Sequence, residues 1–255
     1  MGIDKVLNQI TEEEYRAFEQ DGFLILRNCI DFTLIQKIKN FACDFLECKN
    51  SSQSIIQAME ELELSDKSAF YDFTNRMGSI PPVTLIALDN YFLNFAEKML
   101  KTKYVHLFES AIFFNKLSVK RLQYNWHQEN SYYPNAKEVI TLWYPWLHKV
   151  NQHNGTMIMA KGGHKMKYDA VRIPTPKGLT QMIIADETLS DFEKIHCDLE
   201  LGDAVLFSCN SPHKTGINST QVPRSTIISR YSDKIGKYDN GWSPVSYYAN
   251  SVKKE

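Results

Sequence analysis

The sequence lacks several features that would assign it to a particular class of protein. Its five cysteines are odd in number and include no Cys-x-x-Cys pair, which disfavours a disulfide scaffold and a thiolate zinc site. No stretch approaches the roughly 18 consecutive apolar residues that a membrane-spanning helix needs. The formal net charge of −1 provides no positive excess for gripping nucleic acid. We therefore expect a small-molecule partner, no nucleic acid and no membrane, while the oligomeric state stays open.

No secretory signal is visible in the first residues, and a myristoylation signal is not expected there. The stretch MGIDKVLNQITEEEY turns acidic before any apolar run develops, unlike a secretory signal. Gly2 would suit myristoylation, but Val6 stands where Ser or Thr is expected. With cysteines that suit a reducing compartment, the expected location is the cytoplasm.

Length and composition favour one globular domain over residues 1–255. Hydrophobic residues make up 43% of the chain and charged residues 23%, both ordinary values. We predict mainly helical support over 1–100, a β-rich core over 101–235, and a tail over 236–255. The segment 164–195 has weak periodicity, which predicts a lid or an insertion.

Helix signals dominate the first hundred residues. Thr11 and Glu14 form a capping box that predicts the start of a helix, and Gly22 stands where that helix would end. Asp31 predicts the start of a second helix, and apolar residues at helical spacing predict a third over about 83–99.

Short runs of β-branched and aromatic residues predict strands, most of them beyond residue 103. Because they follow one another without intervening helices, they favour an antiparallel sandwich or barrel. The predicted strands are FLILR, VHLFESAIFFNK, QYNWHQE, VITLWYPWL, GTMIMA, DAVLFS and STIISRYS.

The motif Trp126-His127-Gln128-Glu129 places polar groups in an aromatic-rich strand. On a strand, His127 and Glu129 project to the same side. Burying such groups without partners costs about 1–3 kcal/mol each, and a metal ion would satisfy both. Alone, a His-x-Glu is more often a structural pair.

A second histidine would complete a metal site. His213 follows the DAVLFS strand at the start of a polar turn. Two histidines and one carboxylate on one face leave coordination positions open, as in non-haem Fe(II) oxygenases. The same ligands also allow zinc hydrolase chemistry.

Arg224 lies eleven residues after His213 and opens the last predicted strand, where Thr226 shares its face. A guanidinium binds both oxygens of a carboxylate, and the neighbouring hydroxyl suits the same ligand. The co-substrate 2-oxoglutarate has a keto acid that can chelate iron and a distant carboxylate for such an arginine.

The chain resembles the phytanoyl-CoA dioxygenase family of Fe(II)/2-oxoglutarate oxygenases. WHQEN is similar to the family's H-Q-D element, and VITLWYPWL with NGTMIMAKGGHK resembles its strand and the N-G…G-S-H-K run. HKTGINSTQVPR matches H-x-[ST]-x-x-N-x-[ST]-x-x-x-R in spacing and residue type. EYRAFEQDGF resembles the opening E-x-x-x-F-x-x-D-G-F. Residues 46–100 and 165–195 match poorly, and their role is open.

The resemblance implies an α+β fold in which helices brace a double-stranded β-helix, a jelly-roll barrel. It implies Fe(II) bound by His127, Glu129 and His213, with 2-oxoglutarate and O2 as co-substrates and Arg224 on the distal carboxylate. It also implies hydroxylation of an unactivated C–H bond with release of succinate and CO2. The further co-substrate residues that it implies are Trp143, Thr215 and Gln128, although alternation turns the Gln128 side chain away.

One ligand departs from the family pattern, because Glu129 stands where the family has Asp. A glutamate still ligates, so we expect iron binding with a slightly displaced metal. Related halogenating enzymes lack this carboxylate, so its presence argues for hydroxylation or a related oxidation. Desaturation, epimerisation or cyclisation on the same centre, and a non-catalytic jelly-roll module, are the alternatives.

Other polar and aromatic residues beside these motifs have weaker assignments. Asn130, Tyr132 and Tyr133 follow the His-x-Glu motif and are candidates for substrate contact or for packing. His164 is expected in a turn rather than at the metal. Arg230 is expected at the rim, about 20 Å along the strand from Arg224 at ~3.4 Å per residue. The identity of the substrate is not readable.

Overall fold

The computed structural model describes residues 10–115, 123–133, 138–174 and 180–233. The predicted tail over 236–255 lies outside the described residues. Within them, six α-helices precede most of the strands. The helices are α1 (Glu12–Asp21), α2 (Phe32–Leu46), α3 (Ser52–Ser65), α4 (Lys67–Gly78), α5 (Pro81–Ala87) and α6 (Asn90–Leu100).

Capping residues set the first helix boundaries as the sequence predicts. The Thr11 hydroxyl accepts from the Glu14 N–H, and the Glu14 carboxylate accepts from the Thr11 N–H, which completes the capping box. Gly22 ends α1 at φ 84°, a left-handed conformation that favours glycine. Asp31 caps α2 by accepting from the Thr33 N–H.

The single helix predicted over 83–99 is wrong in its continuity. The structure has two helices there, because Asp89 accepts from the Tyr91 N–H and starts α6 afresh. The proline at Pro81 starts α5, where the missing N–H costs no hydrogen bond. Helices α3 and α4 occupy much of the segment 46–100 that the sequence motifs did not match.

The described strands form two antiparallel sheets and a hairpin. They are β1 (Phe23–Leu26), β2 (His106–Asn115), β3 (Val139–Pro145), β4 (Met157–Ala160), β5 (Val171–Pro174), β6 (Thr180–Ile183), β7 (Lys194–His196), β8 (Ala204–Ser208), β9 (His213–Thr215) and β10 (Arg224–Ser232). The large sheet has the order β1-β8-β3-β10-β2, the small sheet the order β7-β4-β9, and β5 pairs with β6. Strands β3, β8 and β10 belong to the large sheet, and β4 and β9 to the small one, so the chain crosses repeatedly between the two sheets, as in a jelly roll.

This arrangement confirms the prediction of an α+β fold with helices bracing a jelly roll. Across the described residues, the two sheets are not joined into one closed barrel. The strand predicted for QYNWHQE is wrong, since only His127 makes a bridge and Glu129 begins a 3-10 turn.

Side-chain alternation in the large sheet separates two cores. Leu206 and Ile227 point to the helices and join the larger core, whereas Val205 and Ile228 point to the small sheet. The inner core between the sheets is the region where the functional side chains lie.

The segment 164–195 contains a 3-10 turn, the hairpin β5–β6, a second 3-10 turn and β7. The hairpin is attached near the predicted ligands, because the Met182 N–H donates to the Tyr132 hydroxyl at 2.9 Å. The Ile184 N–H donates to the Trp126 carbonyl at 2.8 Å. That this segment acts as a lid stays a prediction.

We predict that Gly78→Ala lowers the free energy of unfolding by about 1–3 kcal/mol. A Cβ at Gly78 would overlap the backbone oxygen of Ser110, so α4 would have to move away from β2. Chemical denaturation measures the change, and Asn75→Ala on the exposed face of α4 is the matched control. Equal stabilities for the two variants would contradict the tight contact between α4 and β2.

None of the described helices combines the length and the apolar character needed to cross a membrane.

Candidate active site

The predicted ligands His127, Glu129 and His213 come together between the two sheets. His213 begins β9, and its backbone N–H and C=O exchange hydrogen bonds of 3.0 Å with those of His127. This antiparallel bridge holds the two imidazole centroids 4.2 Å apart. Glu129, two residues further, turns back toward both rings as the 3-10 turn begins.

Backbone carbonyls set the tautomer of both histidines. Nδ1 of His127 lies 2.7 Å from the Asn125 oxygen, and Nδ1 of His213 lies 3.0 Å from the Ser211 oxygen. Because a carbonyl oxygen only accepts, each Nδ1 carries the proton and each Nε2 presents a lone pair to the site. Burial, together with the nearby His127, lowers the pKa of His213 and favours its neutral form.

The three ligand atoms are close enough to share one ion. Oε1 of Glu129 lies 3.7 Å from Nε2 of His127 and 3.5 Å from Nε2 of His213. Two atoms that each bind an ion at about 2.0–2.2 Å stand at most about 4.4 Å apart. In the described parts of the chain, these three residues are the one group of His, Cys, Asp and Glu side chains placed to hold a metal.

The Glu129 carboxylate is ionised although it is buried. Burial acts to raise its pKa, but the nearby positive charge, chiefly that of Arg230, outweighs burial and holds the pKa well below its usual value. Nδ1-protonated imidazoles direct lone pairs, not protons, at this carboxylate. Three electron-pair donors thus face one another, an arrangement that a cation stabilises and that is repulsive without one.

A cavity of about 400 Å³ opens beside the three ligands. Arg224 lines it from the start of β10, and Arg230 lines it from six residues further along the same strand, opposite Glu109 of β2. The residues that line it are Glu109, Phe113, Tyr124, His127, Glu129, Tyr132, Tyr133, Trp143, Met157, Gln181, Phe207, His213, Lys214, Thr215, Arg224, Ile228 and Arg230.

Arg224 is a buried cation that lacks an anionic partner among the described residues. Its NH1 donates to the Gly155 carbonyl at 2.8 Å, while its buried Nε has no hydrogen-bond partner. Burial lowers the pKa of Arg224 to about 10, so the guanidinium stays charged at neutral pH. A carboxylate in the cavity would supply the missing charge and acceptor.

The other predicted co-substrate residues divide into two groups. Trp143 and Thr215 line the cavity as expected. Thr226 is fully buried beside Arg224 on β10 with an unpartnered hydroxyl, although it does not line the cavity.

Gln128 has a different role from the predicted co-substrate contact. Its amide nitrogen donates to the carbonyls of Met166 and Asn210, and its amide oxygen accepts from the Tyr168 N–H. Those contacts occupy the side chain away from the cavity, so Gln128 fastens the loop after β4 to the turn before His213. Alternation predicted that orientation.

The candidate substrate residues also divide. Tyr132 and Tyr133 line the cavity, whereas Asn130 bonds to the Asn210 side chain and lies outside the lining, which favours the packing alternative for Asn130. His164 packs against Gly22, and its Nε2 bonds to the Glu19 carbonyl.

Arg230 and Glu109 are site residues that sequence reasoning missed. The expectation that Arg230 lies at the rim is wrong, because it is buried and lines the cavity beside Glu129. It pairs with Glu109 directly across β10 and β2. Alternation correctly puts Arg230 on the same face as Arg224, and the error came from taking its distance along the strand to mean that it lies at the rim.

Comparison with known proteins gives a family and a fold. The family model for phytanoyl-CoA dioxygenase (PhyH) matches residues 18–226. A probable phytanoyl-CoA dioxygenase of Caenorhabditis elegans is 23% identical, over 91% of this chain and 78% of that protein.

Solved structures with the same fold include oxygenases of different outcome. The α-ketoglutarate-dependent carbocyclase SnoK from nogalamycin biosynthesis matches with a TM-score of 0.65, 14% identity, and 97% of each chain covered. EctD from S. alaskensis, solved with 2-oxoglutarate and 5-hydroxyectoine, matches with a TM-score of 0.60 and 16% identity, over 91% of this chain and 78% of that one. At such identities, the likeness shows the fold.

Proposed function

Because this chain belongs to the phytanoyl-CoA dioxygenase family, we propose that it is an Fe(II)- and 2-oxoglutarate-dependent dioxygenase that hydroxylates an unactivated C–H bond of a small molecule. Succinate and CO2 are the co-products. The observation that supports this most directly is the convergence of three electron-pair donors in a cavity that also holds Arg224, a buried arginine with no anionic partner among the described residues.

His127, Glu129 and His213 would hold the iron. Their donor set, two imidazoles and one carboxylate, is the one that non-haem Fe(II) oxygenases use. When bound, the iron supplies activation of O2 coupled to oxidative decarboxylation of 2-oxoglutarate. The same donors also suit zinc, but a zinc hydrolase has no need of Arg224 in the cavity.

The chain's own side chains bind and orient the co-substrate. Arg224 binds the distal carboxylate of 2-oxoglutarate, with Trp143 and Thr215 along the cavity wall. Apolar residues such as Met157 and Ile228 exclude water from that region, which strengthens the interaction between the carboxylate and the guanidinium.

Desaturation, epimerisation or cyclisation on the same centre is the second candidate. The structural similarity to the carbocyclase SnoK supports this alternative. Product mass separates the outcomes, because a hydroxylated product gains one oxygen atom, a desaturated or cyclised one loses two hydrogens, and an epimer keeps its mass. A non-catalytic module is disfavoured, since simple binding requires neither the three ligands nor Arg224.

The remaining proposals concern organisation and location. We propose one catalytic domain over 1–255 and a cytoplasmic location. The five cysteines are free and none forms a disulfide, as a reducing compartment requires.

Anaerobic titration with Fe(II) and 2-oxoglutarate tests the proposal. We expect a weak visible charge-transfer band that appears only when both are present and saturates at one iron per chain. Succinate replacing 2-oxoglutarate is the control, because it has no keto group to chelate the metal. Absence of the band at saturating Fe(II) and 2-oxoglutarate would refute the assignment.

A further inference from the structure

Arg230 connects the proposed metal ligand Glu129 to a second acid, Glu109, which is partly buried. Its NH2 donates to Oε1 of Glu129 at 3.1 Å, and its NH1 donates to Oε2 of Glu109 at 2.6 Å. The Tyr133 hydroxyl donates to the same Glu109 oxygen at 2.9 Å, and the Tyr133 ring lies 5.7 Å from the guanidinium carbon. The side chain of Arg230 is only 8% exposed.

The oxygen that accepts from Arg230 is the one that faces the imidazoles. Oε1 of Glu129 lies 3.5 Å and 3.7 Å from the two Nε2 atoms and 3.1 Å from the guanidinium. The hydrogen bond therefore takes one lone-pair direction of Oε1 and leaves the other toward the metal position. The hydrogen bond from Arg230 is to Oε1, so it does not orient Oε2 toward the metal position.

Glu129 needs this constraint more than an aspartate would. A glutamate has one more side-chain torsion, and fixing it costs conformational entropy that a shorter acid does not lose. The ion pair with Glu109 holds the Arg230 guanidinium in place, because Glu109 lies directly opposite Arg230 in the β2–β10 register. The long acid thus meets a donor whose position two strands determine.

We propose that Arg230, held by Glu109 and Tyr133, is a positioning residue that selects Oε1 of Glu129 as the metal-binding oxygen. This inference rests on the proposed function, since it concerns the same metal. It explains how a chain with Glu in place of the family's usual Asp keeps its carboxylate on the two histidines.

The direction of one affinity change separates positioning from simple electrostatics. Removing a positive charge beside a cation site should strengthen Fe(II) binding if charge alone matters. If Arg230 positions Glu129, Arg230→Gln should instead weaken Fe(II) binding by about 10–100-fold, as losing a partner of a metal ligand typically does. Arg230→Lys keeps the charge but loses the two-pronged contact, so it should weaken binding too.

The measurement is anaerobic calorimetric titration of the full chain with Fe(II) alone, without 2-oxoglutarate, so that Arg224 has no part in the result. Circular dichroism establishes that each variant is folded. The matched control is Arg76→Gln, which removes an arginine from an exposed ion pair with Asp72 on α4. It should bind Fe(II) like the parent chain.

A double-mutant cycle with Glu129→Asp provides the second arm. The shorter acid withdraws from Arg230, so adding Arg230→Gln to Glu129→Asp should change the Fe(II) dissociation constant by less than about twofold. Unchanged or tighter binding in Arg230→Gln, or equal losses in both backgrounds, would overturn the positioning role alone. Failure of the parent chain to bind Fe(II) would overturn the proposed function with it.

Discussion

His213→Ala should abolish saturable Fe(II) binding and, with it, the formation of succinate linked to substrate. The loss should exceed the ~10–100-fold effect of removing a partner of a ligand, because a donor atom itself disappears. Only His127 and Glu129 then remain as ligands, and two protein donors hold a divalent ion poorly. His127→Ala should behave in the same way.

Thermal unfolding gives a second readout of this substitution. Fe(II) that binds only the folded chain stabilises it by about 2.7 kcal/mol at a concentration one hundred times the dissociation constant. The parent chain should gain that stability, whereas His213→Ala should gain none. Without metal, the alanine variant should unfold close to the parent, since it also removes the repulsion between facing lone pairs.

The control for both histidine variants is His153→Ala, because His153 is exposed and far from the ligand cluster in the sequence. It should keep the metal-induced stabilisation and the charge-transfer band. Turnover that persists in His213→Ala would exclude His213 as an iron ligand.

The sequence was most informative where local geometry determines side-chain direction. His127 and Glu129 are two residues apart, and their convergence survives although the predicted strand there is a bridge followed by a 3-10 turn. The Arg224 position follows from β10, whose pairing with β2 is regular from Arg224 to Arg230 and shifts register only after that. Capping residues likewise determined the ends of α1 and the start of α2.

The parts that could not be read depend on contacts distant in the sequence. Glu109 meets Arg230 through a pairing of strands 121 residues apart, and only the sheet register reveals it. Gln128 finds its partners in Met166 and Asn210, which belong to two later loops. Arg230 was expected at the rim because of its distance from Arg224 along the strand. That distance does not say where the cavity ends, so the expectation was wrong.

Replacing Arg224 should weaken 2-oxoglutarate binding with little effect on Fe(II) binding. Removing one partner of a buried, hydrogen-bonded charge pair costs about 2–5 kcal/mol, which is at least about 30-fold in affinity. Arg224→Lys should show a smaller loss than Arg224→Met, since lysine keeps the charge but cannot contact both carboxylate oxygens at once. The loss in each variant is measured by titrating 2-oxoglutarate into the Fe(II)-loaded protein and following the visible band.

The same substitution should act in the opposite direction on the protein without co-substrate. The pKa of Arg224 falls from 12.5 to about 10 on burial, which corresponds to about 3 kcal/mol of unfavourable desolvation. Arg224→Met removes that cost together with one hydrogen bond to the Gly155 carbonyl, worth about 1 kcal/mol. We therefore expect its melting temperature without ligands to equal or exceed that of the parent chain.

These opposite changes distinguish a binding residue from a structural one. An arginine that only supports the fold would, when replaced, destabilise the chain whether or not 2-oxoglutarate is present. An arginine kept for a ligand destabilises the empty cavity and stabilises the filled one, so Arg224→Met should raise the first melting temperature and lower the second. Arg76→Met, at an exposed arginine, should move neither. A melting temperature for Arg224→Met that falls equally with and without 2-oxoglutarate would show that the guanidinium serves the fold, and the distal carboxylate would then need another partner.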